Sequence, residues 1–371
     1  AESASAPSPA SPSTDTTAPP SAPRATTPTP RIFITIFDDG HLTPGGFRRV
    51  QAAARTLFER QFREGDVGGV VIDGQMVNNR LTSDRAELLA ALEKARPNSR
   101  TTSRLVDERE WPQMTVVEGV RIAVHDDKPV FDAVYTKACR DDPDLCAKVD
   151  IRPMIRQKAQ RFASDVRVES DQAARNLMAL ANGLTRIDGR KTLLLLTEGF
   201  IADESWPLVQ QAVGLAARAN ARIYTLDARG LDRGAMSDRL GGTDPGTLDS
   251  MSRLLAQFDY GSDSVNALAV DTGGFVVRNT NIFDQAVAQI AQDASRYYVL
   301  GYTPTREPDG KYRRIAVSVK RAGLRVRARR GYVATPMSPA PVGTAATPDR
   351  ADSPSVAAAA PDGPRAASGA S

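Results

Sequence analysis

The sequence predicts an α/β fold with a doubly wound, mostly parallel central sheet and a C-terminal antiparallel β segment. Three short runs rich in β-branched and aliphatic residues, at 32–37, 67–72 and 192–197, are typical of buried strands. Segments with helical spacing of apolar residues separate them, which favours parallel βαβ units over hairpins. After residue 296 the pattern changes to alternating runs joined by short turns such as "REPDG", which predicts antiparallel strands.

Low-complexity ends flank the part of the chain that is expected to fold. Residues 1–30 and 335–371 are dominated by Ala, Ser, Thr, Pro and Gly. Such segments bury too little apolar surface to offset their ordering entropy, so we expect disorder there. The α/β domain is then predicted at 31–296 and the C-terminal β segment at 297–334.

The elements between the strands are predicted from periodicity and capping signals. The helix after the strand at 67–72 is expected to be capped at Thr82 or Ser83. A further strand is expected at 221–229, in "ARIYTLDAR". Apolar residues at helical spacing predict helices at 47–62, 169–187, 205–219 and 281–295.

The composition and the missing motifs argue against several classes of function. The net charge of +4 is small and spread over 371 residues, so nucleic-acid binding is not expected. No window holds the roughly 18 apolar residues that a membrane-spanning helix needs. The chain has two histidines and lacks a Walker loop, a His-Glu-x-x-His motif and a serine nucleophile elbow, so we do not expect an enzyme.

The start of the chain and its two cysteines bear on localisation. The sequence opens with AESASA, without Met, and continues into a Pro/Ala/Ser linker. We interpret this as an exported chain after signal-peptide cleavage, or as a fragment of a longer precursor. Cys139 and Cys146 would form a short-loop disulfide in an oxidising compartment and would be ordinary thiols in the cytosol.

Acidic residues stand directly after two of the predicted strands. Asp38, Asp39 and His41 come after the strand "IFITIF", and Glu198 comes after the run "TLLLLT". Ligands of doubly wound sheets bind beyond the carboxyl ends of the strands, where carboxylates suit Mg²⁺ or Ca²⁺. A polysaccharide-deacetylase site would need a His-x3-His pair, and a dehalogenase-type phosphotransferase site would need a second Asp where Gly40 stands. Neither alternative fits.

The order of elements resembles a von Willebrand factor A-type domain, and more closely the von Willebrand factor A-related proteins of Acidobacteria. The resemblance covers residues 31–333 and rests on five stretches in sequence order: "RIFITIFDDGHL", "LTSDRAELLAAL", "GRKTLLLLTEGF", "ALAVDTGGFVVRNTN" and "YYVLGYTPTREPDGKYRRIAVSVKRAGLRVRARRGY". It implies a von Willebrand factor A-like fold whose first strand leads into a metal-ion-dependent adhesion site, Asp-x-Ser-x-Ser.

Carried over residue by residue, the adhesion site is altered. Asp38 matches its first Asp, but Gly40 and Leu42 stand at the serine positions. Lys128 stands where the family has Thr, and Glu198 replaces the later Asp. The resemblance thus implies a degenerate site in which the Lys ammonium replaces the metal as counter-ion.

The alternative is a rearranged Mg²⁺ or Ca²⁺ site on Asp38, Asp39 and Glu198. In either case we expect His41 to act as a hydrogen-bonding residue.

The sequence therefore predicts a non-enzymatic, exported interaction or adhesion-type module that binds a protein or cell-surface ligand. The expected contact surface is the top face, composed of Asp38, Asp39, Gly40, His41, Leu42, Lys128 and Glu198. One alternative is a divalent-metal-dependent hydrolase that uses Asp38, Asp39 and Glu198. Another is a structural envelope module anchored by its basic β segment.

Two further features concern the C-terminal part. Alternation in "LRVRARRGY" places Arg325, Arg327 and Arg329 on one strand face. That face is either solvated or a docking face for an anionic partner. The stretch "DTGGF", 271–275, is predicted to be a tight turn in which Gly supplies a positive φ, with phosphate binding as the alternative.

Overall fold

The computed structural model describes residues 30–97, 106–230, 262–295, 297–298, 300, 304–321, 323 and 326–334. The predicted low-complexity ends lie outside the described residues, apart from Pro30, and so does Arg325. Within the described part no helix is long and apolar enough to span a membrane.

The central sheet has six strands in the order β3-β2-β1-β4-β5-β6. Their bounds are β1 Ile32–Phe37, β2 Val67–Ile72, β3 Gln75–Met76, β4 Lys191–Thr197, β5 Ala221–Asp227 and β6 Val276–Val277. All neighbours pair in parallel except β3, a short edge strand that is antiparallel to β2. The predicted α/β class with a mostly parallel sheet is confirmed.

Strands β1 and β4 form the centre of the sheet because they are apolar on both faces. Every residue of both strands is buried. Near-continuous apolar strands are typical of parallel sheets that are covered by helices on both sides. The register places Phe37 opposite Leu196, so the residues after these two positions emerge side by side.

The main α-helices of the described residues lie between and after these strands. They are α1 Pro44–Thr56, α2 Arg85–Lys94, α3 Val116–His125, α4 Lys128–Asp141, α5 Pro143–Lys148, α6 Arg152–Leu184, α7 Trp206–Arg218, α8 Ser262–Asp271 and α9 Phe283–Ser295. Apolar residues of α1, α2 and α9 pack with Phe33 and Phe37 on one face of the sheet. Those of α6, α7 and α8 pack with Ile34 and Ile36 on the other. Successive side chains of β1 thus point to opposite faces of the sheet and contribute to both apolar cores.

Two local predictions need correction. The helix after β2 is capped by Asp84, not by Thr82 or Ser83. The Asp84 side chain accepts hydrogen bonds from the backbone N–H of Ala86 at 2.8 Å and of Glu87 at 3.4 Å. A carboxylate at this position also complements the positive end of the helix dipole. The helix predicted at 169–187 is the second half of the 33-residue α6.

Helices α3, α4 and α5 form an insertion that packs on the first half of α6. Its core includes Val120, Val134, Ile155 and Phe162. A disulfide joins Cys139 of α4 to the cysteine of α5, Cys146, with their Cα atoms 5.4 Å apart. The structure therefore pairs the two cysteines in the way expected for an oxidising compartment.

The C-terminal segment contains a two-stranded antiparallel sheet, β7 Tyr312–Arg314 and β8 Gly331–Val333. Residues 326–330 are not a strand, which contradicts the predicted strand face of arginines. Arg329 donates to the Ala217 carbonyl at 2.8 Å, and Arg327 lies 3.8 Å from the Asp293 carboxylate. These two side chains contact the α/β domain because it offers them a helix-end carbonyl and a carboxylate.

The "DTGGF" stretch is a tight turn, as predicted. Gly273 has a φ of 86°, and the N–H of Gly274 donates to the Ala269 carbonyl at 2.8 Å. A Cβ atom on Gly274 would lie 1.9 Å from the carbonyl oxygen of Ile223 in β5. Glycine is required there because the turn approaches the backbone of a buried strand.

We predict that Gly274→Ala lowers the free energy of unfolding by about 2–4 kcal/mol, since the clash is with backbone that cannot move aside. Urea unfolding followed by circular dichroism measures the effect. Gly183→Ala is the matched control, because a Cβ there, within α6, meets no atom within 4 Å. That substitution should stabilise the protein by about 0.5–1 kcal/mol. Equal stabilities of the two variants would contradict the close approach.

Candidate functional site

The candidate site lies where β1 ends, next to β4. The N–H of Asp38 donates to the Leu196 carbonyl at 3.0 Å and so extends the sheet by one residue. A single 3-10 turn, Asp39–His41, then leads to Leu42, which is buried in the core. In open α/β sheets the crevice at the point where the strand order reverses is the usual ligand position, and β1 and β4 flank that point here.

Both carboxylate oxygens of Asp38 have protein partners. Its Oδ1 lies 2.9 Å from Nδ1 of His41, and its Oδ2 accepts a hydrogen bond from the Thr197 hydroxyl at 2.7 Å. The same hydroxyl accepts from the N–H of Gly199 at 2.9 Å, which fixes its direction. The His41 ring packs against the ring of Phe200 with centroids 5.5 Å apart. The position of the Asp38 carboxylate is thus fixed by contacts to both of its oxygens.

Asp39 is buried and faces another acid. Burial is the main cause that raises its pKa to about 7, and a hydrogen bond between its side chain and Asp73 and the charges of Asp73 and Asp38 act in the same direction. A protonated Asp39 can donate this hydrogen bond to Asp73, which favours the neutral form of Asp39. The neutral form of Asp39 is therefore favoured near neutral pH in this arrangement.

Glu198 points towards the start of α1. Its Oε1 accepts hydrogen bonds from the Thr43 hydroxyl at 2.6 Å and from the Thr43 N–H at 3.3 Å. A Cβ on Gly46 would lie 1.9 Å from that oxygen, so the absence of a side chain at Gly46 makes room for the carboxyl group. Burial raises the pKa of Glu198, while the bonds from Thr43 and the charges of Arg49 and Arg229 oppose the increase.

Lys128 does not serve as the predicted counter-ion. It is the first residue of α4, after the cap residue Asp127. In the described ranges of the chain, no ion pair joins Lys128 to Asp38 or Glu198. The reason is local, because α3 and its capping box at Thr115 occupy the preceding irregular sequence and place Lys128 in the helical insertion.

A cavity of about 210 Å³ lies beside the turn, between β1, the β2–β3 turn and α6. Its polar lining comprises Asp38, Asp39, His41, Asp73, Glu169, Gln172 and Asn176. Leu177 and Phe200 contribute apolar surface. Glu198 does not line this cavity, so the three carboxylates proposed from the sequence do not converge on one point. Among the described residues no group of three His, Cys, Asp or Glu side chains is arranged to hold a metal ion.

Several residues of the site were not predicted from the sequence, and four of them show why. Thr197 ends the strand run 192–197, and the observed pairing of β1 with β4 places it beside Asp38. Thr43 precedes a proline at a helix start, a common capping signal. Asp73 comes directly after β2 just as Asp38 comes directly after β1. Glu169 gives no local signal, because only the path of α6 brings it to the cavity.

No family model matches the sequence, and no curated protein matches it either.

We predict that the free energy of unfolding declines as pH rises from about 4 to 7, because folded Asp39 retains a proton that the unfolded chain has lost. The folded pKa of about 7 lies above the ordinary value of 3.8, so the native state binds more protons in this window. Asp39→Asn, neutral at every pH, should remove about 1–3 kcal/mol of this decline. Urea unfolding at intervals of pH measures both proteins. Identical slopes would show that Asp39 ionises normally.

Proposed function

We propose that this chain is an exported, non-enzymatic interaction module of the von Willebrand factor A type. Support comes from the altered motif "DDGHL" after β1, the resemblance of five stretches in order, and the central crevice between β1 and β4. The contact surface in this proposal is the top face around the cavity, namely the turn at Asp39–His41, the β2–β3 turn and the middle of α6.

In this proposal the top face binds its partner without a metal ion, and one observation supports this point. The carboxylates that a metal would need already have protein partners: Asp38 has Thr197 and His41, Asp39 has Asp73, and Glu198 has Thr43. Buried carboxyl groups that accept hydrogen bonds or retain a proton do not require a cation to compensate them. The positions Gly40 and Leu42, which lack hydroxyl groups, agree with this.

Export is supported by the disulfide between Cys139 and Cys146. Disulfides persist in oxidising compartments and are rare in the cytosol. The bridge joins two helices of the insertion, α4 and α5, which bury few residues of their own. In an exported protein it would limit opening of this insertion.

A hydrolase is the second candidate, because Asp39 combines a pKa of about 7 with a position in a cavity beside His41. A carboxyl group that titrates near neutrality is a suitable general acid or base. Two observations disfavour this candidate. Glu198 lies outside the cavity, and both carboxylate oxygens of Asp38 already contact Thr197 or His41. An activity that disappears in Asp39→Asn would favour the enzyme.

Titration calorimetry of Mg²⁺, Ca²⁺ and Mn²⁺ into the full chain tests the metal-free proposal. We expect no saturable heat at millimolar ion concentrations for the protein or for Asp38→Ala. Saturable binding that is lost in Asp38→Ala would contradict the proposal and restore an adhesion-type metal site.

Site-specific photo-crosslinking tests the proposed contact surface. A photoreactive side chain at Gly40 is tolerated, since a Cβ there meets no atom within 4 Å. We expect discrete crosslinked products in the cell envelope from position 40. Exposed Arg152, at the start of α6, is the control position and should give none. Equal crosslinking from both positions would contradict a specific top face.

A further inference from the structure

The opposite edge of the sheet, where the strands begin, carries an unusual concentration of arginine. Arg190 precedes β4, and Arg222 is the second residue of β5. Arg327 and Arg329 reach the same edge from the C-terminal segment. We refer to these four residues as the arginine cluster. It lies at the other end of the strands from the cavity, and no step of the proposed function uses it.

One carboxylate serves three of these cations. Nη2 of Arg190 lies 3.2 Å and Nη1 of Arg222 lies 3.4 Å from the same oxygen of Asp293, and Nη1 of Arg327 lies 3.8 Å from the other. The hydroxyl of Tyr224 also donates to this carboxylate. A single negative charge therefore faces three positive ones, and one of its two oxygens already accepts three hydrogen bonds.

The fourth arginine adds charge without a carboxylate partner of its own in the described part of the chain. Arg329 donates to the Ala217 carbonyl and to Oδ1 of Asn220, which are neutral acceptors. Burial, together with the charges of Arg222 and Arg190, lowers the pKa of Arg329 to about 10. Its surroundings thus disfavour positive charge, as expected where cations outnumber anions.

Arg190 has hydrogen-bond donors that nothing in the described chain satisfies. Its side chain is 5% exposed, and its Nε and Nη1 groups are buried without a hydrogen-bond partner. The guanidinium group lies under the ring of Tyr297 at 4.6 Å. Buried donors of a charged group are costly to leave unpaired, so such a group calls for an acceptor.

The cluster is also reachable from solvent. The side chain of Arg222 is 16% exposed and that of Arg327 is 32% exposed. The Arg327 guanidinium is oriented by the Phe275 ring, 4.8 Å away. Tyr297, which covers Arg190, is itself an exposed side chain. An anion would meet Arg222 and Arg327 first and would reach Arg190 by displacing the tyrosine ring.

We propose that the arginine cluster is a binding site for a doubly charged oxyanion, a phosphate or sulfate group. Guanidinium groups match the geometry of such oxygens and bind them through paired hydrogen bonds. Several cations around one carboxylate fit a ligand with more than one negative charge better than they fit chloride. The ligand supplies an acceptor to Arg190, whose Nε and Nη1 groups have none in the described chain.

The test is calorimetric titration of inorganic phosphate and inorganic sulfate into the full chain, with ionic strength held constant by sodium chloride. We expect saturable binding of both ions by the parent protein. Arg327→Gln should weaken it at least about tenfold, the effect of losing a charge-assisted hydrogen bond. Arg152→Gln, which removes an exposed arginine elsewhere, should leave the dissociation constant unchanged.

A variant that is expected to strengthen binding distinguishes a direct effect on the site from a loss of folding. Asp293→Asn removes the competing negative charge and should tighten phosphate binding, whereas a loss of folding would weaken it. Circular dichroism of each variant establishes that it is folded. No saturable heat from either ion, or equal binding by Arg327→Gln and Arg152→Gln, would overturn the proposal.

A second arm distinguishes the sources of the oxyanion. Co-sedimentation with phosphatidic acid vesicles, and not with phosphatidylcholine vesicles, would assign the group to a lipid headgroup. Phosphate binding without co-sedimentation would assign it to a soluble anion. Because this site and the top face are at opposite edges of the sheet, Arg327→Gln should leave crosslinking from position 40 unchanged, so the two proposals fail separately.

Discussion

The parallel pairing of β1 with β4 is the interaction on which the rest of the structure depends. Both strands are buried along their whole length, which requires helices on both faces and fixes the two apolar layers. The pairing also determines which side chains become neighbours at the ends of the two strands. With Phe37 opposite Leu196, Asp38 and Thr197 emerge side by side and form a hydrogen bond. The chemistry of the top face is thus a direct result of strand register.

That register separates three acids which look equivalent in the sequence. Asp38 accepts hydrogen bonds within the sheet edge, Asp39 turns towards Asp73, and Glu198 turns towards the start of α1. Each carboxyl group is stabilised by a different means: hydrogen-bond donors for Asp38, a retained proton for Asp39, and an N-capping threonine for Glu198. Such an arrangement compensates the buried acids within the protein itself.

The fold was largely predictable, because buried strands and amphipathic helices leave strong periodic signals. Strand 67–72 was predicted with its observed bounds, and α9 within two residues. Features without a local signal were missed. The two-residue β3 is too short to show periodicity, and the Asp84 cap competes with two neighbouring hydroxyl residues that are equally good caps.

The candidate site was predictable only in part. Asp38 and His41 come together because a single turn of the chain connects them. Asp73 follows β2 as Asp38 follows β1, a signal that was overlooked, whereas only the path of α6 brings Glu169 to the cavity. Lys128 was predicted at the wrong place because the resemblance was extended across the helical insertion. Arg327 and Arg329 were predicted on a strand face, but alternation alone does not reveal which acceptors a segment will meet.

A carbon-13 NMR titration of the aspartate carboxyl groups tests most directly the central claim that the protein itself compensates the acids of the top face. We expect the Asp39 carboxyl to titrate with a midpoint near 7, matching its pKa of about 7, and added Mg²⁺ to leave this midpoint and the Asp38 chemical shift unchanged. A midpoint near the ordinary value for aspartate, or a Mg²⁺-dependent shift of Asp38, would contradict the claim.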